Sequence, residues 1–283
     1  MPPTDKINQQ GYHQHKNAKS VQHGRYAHAA ANPDVCKIQR SSVHMSYAEL
    51  TLKDRSRLKR FVQEHRFADA MKLFPPSLST STPTIVDFGA GNGELSMRLS
   101  LKYPKSSITC YEPGDLLQEA KDMVGNISNI TTAASSSDIC SGSADVVYCL
   151  EVFEHLPDVE RQFALDEIHR ILKSGGWMIV GVPIEIGLPA LPKGLFRMAR
   201  RRGDFDARIG NILRSTLGRR FSVRPSIEIA AGLRYHPHHT GFDYRQLMYE
   251  IIKKFQFKNK VCSPFALMGP QLNSEIYLIA SKQ

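Results

Sequence analysis

Between Thr84 and Pro183 the chain alternates short apolar runs with amphipathic stretches, and this rhythm confines it to a small group of folds. Thr84–Phe88 reads as a strand, Glu94–Leu101 as a helix, Ile108–Tyr111 as a strand and Asp115–Val124 as a helix. Ile130–Ala134 and Asp145–Leu150 are two more strands. Val159–Leu172 is a helix whose Lys173-Ser174-Gly175-Gly176 ending reads as a glycine C-cap, and Trp177–Val182 is a strand stopped by Pro183. Strands separated by helical crossovers run parallel, so an α/β sheet covered on both faces is expected. The rhythm lapses over residues 184–240 and returns with a helix at Tyr244–Phe255 and strands at Phe257–Cys262 and Glu275–Ala280. The loop Ser263–Asn273 is too short for a crossover helix, which makes the last two strands an antiparallel pair.

The first strand runs into Val86-Asp87-Phe88-Gly89-Ala90-Gly91-Asn92-Gly93-Glu94. Glycines between a strand and a helix let the backbone turn tightly and let a ligand approach without a Cβ in the way. The spacing is D-x-G-x-G-x-G. A dinucleotide fingerprint needs Gly at 94, where Glu stands, and no G-K-[ST] phosphate ending is present. At the end of the second strand Glu112, in Cys110-Tyr111-Glu112-Pro113, is placed to accept both hydroxyls of a ribose. Loop and acid together indicate a nucleoside without a pyrophosphate.

With these residues the chain resembles the class I S-adenosylmethionine-dependent methyltransferases, within them the type 11 or quinone-biosynthesis-like group. The resemblance runs through Asp87–Gly93, Glu112, Asp145–Leu156 and Leu172–Pro183, about 100 residues. It implies a Rossmann-like seven-stranded sheet of order 3-2-1-4-5-7-6 with the last strand antiparallel and helices on both faces. It also implies S-adenosyl-L-methionine as cofactor. Gly89, Gly91 and Gly93 then form the loop beside the methionyl part, Asp87 orders that loop, Glu112 holds the ribose and Leu150 ends the fourth strand beside the cofactor. Many relatives carry an acid after the third strand near the adenine. Here Ala134-Ser135-Ser136-Ser137-Asp138 stands instead, so Ser135 or Ser136 takes that place, or backbone alone does.

Methyl transfer from a sulfonium needs an acceptor held in line, and a base only where the nucleophile carries a tightly held proton. Candidates cluster at Glu151-Val152-Phe153-Glu154-His155. Their spacing would put Glu151, Glu154 and His155 on one face of a helical turn. His155 and Glu151 are the catalytic candidates, with His155 as general base. Two other readings stand beside this one: a structural or cofactor-positioning role, and a divalent metal closed by His236, His238 or His239. The string resembles that of quinone-ring O-methyltransferases and of small-RNA 3′-end 2′-O-methyltransferases, some of which use a metal. No metal is favoured. The Asn/Asp-Pro-Pro-aromatic ending of relatives that methylate nucleobase or amide nitrogens is absent, and Cys149 reads as a packed thiol. Tyr235–Tyr244, with three histidines, borders the acceptor pocket by its position in this fold.

Charge enters through the insertion. The chain has 37 Lys and Arg against 27 Asp and Glu, a net +10, and ten of those cations against two acids lie between Lys193 and Arg224. Gly194–Arg202 mixes bulky apolar residues with arginine, as in a helix lying at an anionic membrane interface. A solvated basic lid and a phosphate-bearing substrate such as RNA fit the same composition. Few aromatics interleave the arginines, which counts against base stacking. The function expected is therefore methyl transfer to a small-molecule, glycan or lipid-linked acceptor, at oxygen. An RNA methyltransferase and a cofactor-binding relative without catalysis are the alternatives, and both nucleoside-binding features are intact.

Residues 1–45 read as a disordered tail, poor in bulky apolar residues and holding five of the eleven histidines. Residues 46–83 read as a helical segment, helical from Tyr47 to Phe74, and a Pro/Ser/Thr linker. Residues 84–283 read as the methyltransferase domain with the insertion at 184–240. No apolar run reaches the roughly 18 to 20 residues of a membrane span. Five cysteines with no C-x-x-C pair suit a reducing compartment, Cys110, Cys140 and Cys149 being expected in or beside buried strands. With no signal pattern at the start, a cytoplasmic protein, peripheral at a membrane if the insertion binds one, is expected.

Overall fold

Hydrophobic side chains on alternate positions of β1 (Thr84–Phe88) go to opposite faces of a sheet, and two cores result. In a computed structural model describing residues 57–283 except 80, 202, 220, 222, 231 and 232, Ile85 joins one cluster and Val86 the other. All described residues lie in the unit Val43–Gln283. The expected tail at 1–45 and the start of the helical segment fall outside them.

The strands are β2 (Ser107–Tyr111), β3 (Ile130–Ala133), β4 (Ala144–Leu150), β5 (Leu172–Pro183), β8 (Gln256–Ser263) and β9 (Glu275–Ser281), with a separate hairpin β6 (Ile227–Ala230) and β7 (Leu233–Tyr235). The main sheet runs β3-β2-β1-β4-β5-β9-β8. In order of main-sheet strands this is 3-2-1-4-5-7-6, and β9 lies antiparallel to both β5 and β8 as expected. One face carries α1 (Arg57–Lys72), α2 (Glu94–Lys102) and α3 (Leu117–Val124), with Leu95, Leu99 and Val124 in its core. The other carries α4 (Asp158–Ile171) and α7 (Tyr244–Lys254), with Leu165, Ile168 and Ile251. Each such fully buried aliphatic side chain is worth roughly 2 kcal/mol of transfer free energy. The insertion adds α5 (Ala190–Arg200) and α6 (Ile209–Thr216) ahead of the hairpin.

Two local expectations are corrected. Gly175 and Gly176 do not cap α4, which ends at Ile171 with Leu172 already extended. They form an excursion inside β5: Ala144 pairs with Leu172, but Val146, two residues on, pairs with Trp177. Gly175 supplies the left-handed φ of +75° that such an excursion needs. Cys140 is exposed, whereas Cys110 and Cys149 are buried as expected. α1 packs against the rest of the domain. Phe74 just past its end is buried and stacks on Tyr103 at 4.2 Å, and the carbonyl of Arg66 accepts the Tyr277 hydroxyl at 2.7 Å.

Candidate functional site

The glycine loop and the ends of β1 and β2 form one half of the site. Gly89 and Ala90 both donate to the Tyr111 carbonyl at 2.8 Å, which folds the loop over β2. Gly91 donates to Glu112 Oε2 at 2.9 Å and Gly114 to Glu112 Oε1 at 2.8 Å. The predicted ribose acid thus also ties the loop to its own strand end. Burial pushes the Glu112 carboxyl up, opposed by those two amides. Asp87 is buried and accepts from Ser96 Oγ at 2.8 Å, fastening β1 to the first turn of α2. Burial lifts it to about 7.

Adding a Cβ shows what each glycine does. At Gly89 (φ +80°) it would lie 2.5 Å from Val152, so β4's exit segment fills that side. At Gly91 (φ +58°) the nearest atom is Leu116 Cδ1 at 3.9 Å. That flank of the loop, beside Glu112, is open. Ser135 is exposed and caps the turn after β3, accepting from the Ser137 amide. Ser136 is turned inward toward Tyr111 and Glu167. Both stand at the expected strand end, Glu112 N donating to Ala133 O beside them. Leu150 ends β4 opposite Gly181.

The second half begins at the end of β4, and here the expected helical face is corrected. Glu151 has φ +58°, a conformation costing roughly 1–3 kcal/mol for a non-glycine residue. The turn that follows covers only Phe153–His155. Glu151 therefore lies outside that turn, though its carboxyl is still near enough to Glu154 for the two to repel. Its Oε2 pairs with Arg66 of α1 at 3.0 Å, and Arg66 also reaches Glu275 at 2.8 Å. Burial raises the Glu151 carboxyl well above the usual range against the pull of Arg66.

Glu154 is 0% exposed, and neither carboxylate oxygen has a hydrogen-bond partner. His155 Nε2 lies 3.7 Å from Glu154 Oε1 and 3.1 Å from His239 Nε2. His155 Nδ1 is 2.8 Å from the His236 carbonyl, which can only accept, so Nδ1 carries the hydrogen and Nε2 presents its lone pair to the cluster. The ring is held by stacking on Tyr235 at 4.5 Å. Burial lowers His155 to about 4 and lowers His239 as well, keeping both imidazoles neutral. Glu154, His155 and His239 each offer one ligand atom within 4.8 Å of the others. Of the three later histidines weighed from the sequence, only His239 joins them. His236 bonds the Pro225 carbonyl, and His238 lies 3.6 Å from Asp206.

Three residues of this half were missed in the sequence. Arg66 reaches it from α1, and Arg224 donates to the carbonyls of Glu154 and His238 at 2.8 and 2.7 Å. Glu185, buried just past β5, is gripped by Arg197 through both oxygens at 2.8 and 2.9 Å and by Lys193 at 3.2 Å. Burial would raise its carboxyl, but these two cations hold it at about 2. Its signal was legible: a lone acid at a strand end ahead of ten cations.

Residues 86–180 match the family model described as a methyltransferase domain. A malonyl-acyl-carrier-protein O-methyltransferase of Geobacter sulfurreducens is 31% identical over 96 residues, 32% of this chain and 35% of that protein. An uncharacterized methyltransferase of Schizosaccharomyces pombe is 32% identical over 95 residues, 34% of this chain and 37% of that one. The matched stretch thus spans about a third of the length of these curated relatives. The fold is shared with a solved Listeria monocytogenes protein, described provisionally as an S-adenosylmethionine-dependent methyltransferase. That likeness has a TM-score of 0.51 at 17% identity, over 78% of this chain and 99% of that one. Among the described residues no helix is long and apolar enough to cross a membrane. Sheet order, glycine loop, acidic strand end and family model agree, and the chain carries a class I S-adenosylmethionine-dependent methyltransferase domain.

Proposed function

We propose that this protein transfers the methyl group of S-adenosyl-L-methionine to an oxygen of a small-molecule, glycan or lipid-linked acceptor bound beside Glu154, His155 and His239. The observation that carries this reading is the buried His155 ring, whose Nδ1 is committed to the His236 carbonyl and whose Nε2 lone pair faces the cluster. When bound, the cofactor supplies a methyl on a positively charged sulfur that is already an activated leaving group. The protein's part is to orient an acceptor hydroxyl and take its proton. His155 Nε2 is the acceptor of that proton, the hydroxyl replacing His239 as its hydrogen-bond donor. Glu154, whose carboxyl burial lifts to about 8 and whose oxygens have no hydrogen-bond partner, lies 3.7 Å from Nε2, where the imidazolium forming beside it draws the carboxyl back to the ionised form that stabilises it. Glu151, fixed by Arg66 and by its left-handed backbone, orients the acceptor from the cofactor side, since Val152 next to it touches the glycine loop.

The test is turnover against cofactor affinity. His155→Gln should retain calorimetric binding of S-adenosylhomocysteine and lose methyl transfer. Full transfer activity in that variant would remove His155 from the reaction.

A second reading is favoured by one observation, the two unpartnered oxygens of the wholly buried Glu154. Once Glu154, lifted by burial to about 8, gives up its proton to the incoming ion, a carboxylate and two neutral imidazoles are a donor set for a divalent transition metal, and the His155 Nδ1 bond to a backbone carbonyl is the kind of outer contact that orients such a ligand. Glu154, His155 and His239 would then hold the ion, which would polarise the acceptor hydroxyl. Calorimetric titration with Zn²⁺ or Mn²⁺ in the absence of acceptor separates the readings. One-site binding lost in His239→Ala supports the metal, and no binding leaves the histidine as base.

A further inference from the structure

Exposed apolar side chains gather on three elements that meet at one junction. In α5 Leu195 and Phe196 are exposed, on the flank away from Gly194, where the helix packs against Ile212 of α6. In α6 Ile209 and Leu213, four residues apart, continue to Leu217 just past its end. The third element, the loop between β8 and β9, was not suspected from the sequence. Its Leu267 is 101% exposed, with Phe265, Met268 and Leu272 also largely in solvent. Residues 264–274 contain no charged residue at all.

The contacts between these elements are direct. Gly187 N donates to Ser215 O of α6 at 3.0 Å, and the next residue, Leu188, itself exposed, donates through its amide to Gln271 Oε1 at 3.1 Å. The junction ahead of α5 thus draws the end of α6 and the β8–β9 loop to the same place. A surface of this kind needs a partner, because large apolar side chains presented together to water are unfavourable.

The charge around it selects the partner. Lys193 and Arg197 are spent on buried Glu185, and Arg224 on two carbonyls. Arg200, over the Phe196 ring at 5.3 Å, and Arg208 and Arg219 remain exposed beside the apolar residues. Of the two acids in this stretch, Asp206 is buried and Asp204 is paired with Arg201. The outward field is therefore cationic, and the apolar groups project from separate helices and a loop. Apolar side chains with arginines beside them match the acyl–headgroup boundary of an anionic bilayer.

We propose that the α5–α6 face and the Phe265–Leu272 loop dock this protein on anionic membrane, with Phe196, Leu217 and Leu267 entering the boundary and Arg200, Arg208 and Arg219 meeting lipid phosphates. The surface lies outside the methyl-transfer site, and the docking does not depend on turnover. The inner side of α5 nevertheless reaches toward the acceptor half, since Arg197 Nη1 donates to Thr240 beside His239.

The experiment is co-sedimentation of the full chain with extruded vesicles of phosphatidylcholine alone and of phosphatidylcholine with a quarter phosphatidylserine. Strong partition to the second and weak partition to the first is expected, falling as salt is raised. Arg200→Glu/Arg208→Glu/Arg219→Glu should lose at least roughly 100-fold in partition, taking about five-fold for each of the three positive charges removed near the surface and more from the repulsion of the glutamates. Phe196→Ser/Leu267→Ser should lose at least about ten-fold. Single Leu267→Ser, on a loop apart from the insertion, should show a smaller loss in the same direction. Absence of partition to anionic vesicles overturns the proposal. So does partition that the serine variants leave unchanged, which would be adsorption by charge alone. A single-stranded RNA that binds with equal strength, indifferent to the serine substitutions, would reassign the basic face to nucleic acid and overturn it as well.

Discussion

The two halves of the site are built on opposite plans. In the cofactor half, chemistry is local in sequence: Asp87 to Gly93 and Glu112 lie within 26 residues, and every carboxylate oxygen that matters has a donor, Ser96 for Asp87 and the amides of Gly91 and Gly114 for Glu112. In the acceptor half, Arg66, Glu154, Glu185 and His239 come from four distant segments, and Glu154 has no hydrogen-bond partner for either oxygen. The difference teaches where unsatisfied chemistry is kept. A backbone-cradled half is complete before anything binds, whereas a buried carboxyl without partners costs free energy unless a ligand, proton or ion completes it.

The comparison breaks most visibly if the halves are not separable. Glu112→Ala removes the acceptor of two loop amides and the proposed ribose contact together. Affinity for S-adenosylmethionine should fall by 100-fold or more by calorimetry, with the fold intact by circular dichroism. Glu154→Ala should do the reverse, leaving that affinity within a few-fold while turnover drops by about 100-fold, the usual scale for losing a group that stabilises developing charge. Loss of cofactor binding in Glu154→Ala, or wild-type affinity in Glu112→Ala, would mean that the division is misplaced.

The same contrast explains how much could be read beforehand. The parallel sheet and its antiparallel last pair were legible because strand–helix alternation dictates parallel neighbours and a short final loop dictates an antiparallel pair, as β9 with β8 shows, whereas the strand order came from the family resemblance. The glycine loop was legible because a positive φ demands glycine at fixed places, and Gly89, Gly91 and Gly93 all have it. The acceptor half resisted for three physical reasons. Glu151 takes a left-handed conformation that no spacing rule anticipates in a glutamate, so the helical face drawn through Glu151, Glu154 and His155 was wrong. Arg66 and His239 are brought in by tertiary packing, which periodicity does not encode. The Gly175-Gly176 pair resembled a helix cap because glycine serves both a cap and a strand excursion, and only pairing distinguishes them. Much of the insertion's positive charge also looked free in sequence but is bound inward, to Glu185, Asp206 and backbone carbonyls.

That inward binding predicts a stability effect confined to the acceptor half. Glu185→Gln keeps the volume but leaves Arg197 and Lys193 facing a neutral amide in a buried setting. Breaking one side of a buried ion pair typically costs about 3 to 5 kcal/mol. The expected outcome is a lowered midpoint in denaturant with little change in cofactor affinity per folded molecule. A stability change under about 1 kcal/mol would show that the network is solvated and that Glu185 does not anchor α5.

The smallest effect is a pH dependence, and its sign follows from burial. His155 titrates near 6.5 in the unfolded chain but at about 4 when folded, because the buried ring resists charge. Between those values the unfolded state binds a proton that the folded state does not, so the ring's own contribution to stability falls as pH falls from 6.5 toward 4, against the opposite contribution of Glu154 and Asp87, whose carboxyls burial lifts to about 8 and about 7. At pH 5 about 1.5 pH units of that window have been crossed, a loss of about 2 kcal/mol relative to pH 7. His239 shifts in the same direction and adds to the slope. His155→Gln should remove the ring's contribution between pH 7 and 5, while Glu112→Ala, in the other half, should leave the slope attributable to His155 in place. An unaltered slope in His155→Gln would mean that the ring titrates at its ordinary value in solution, and the neutral imidazole required of a base or a metal ligand would then not be supplied by burial.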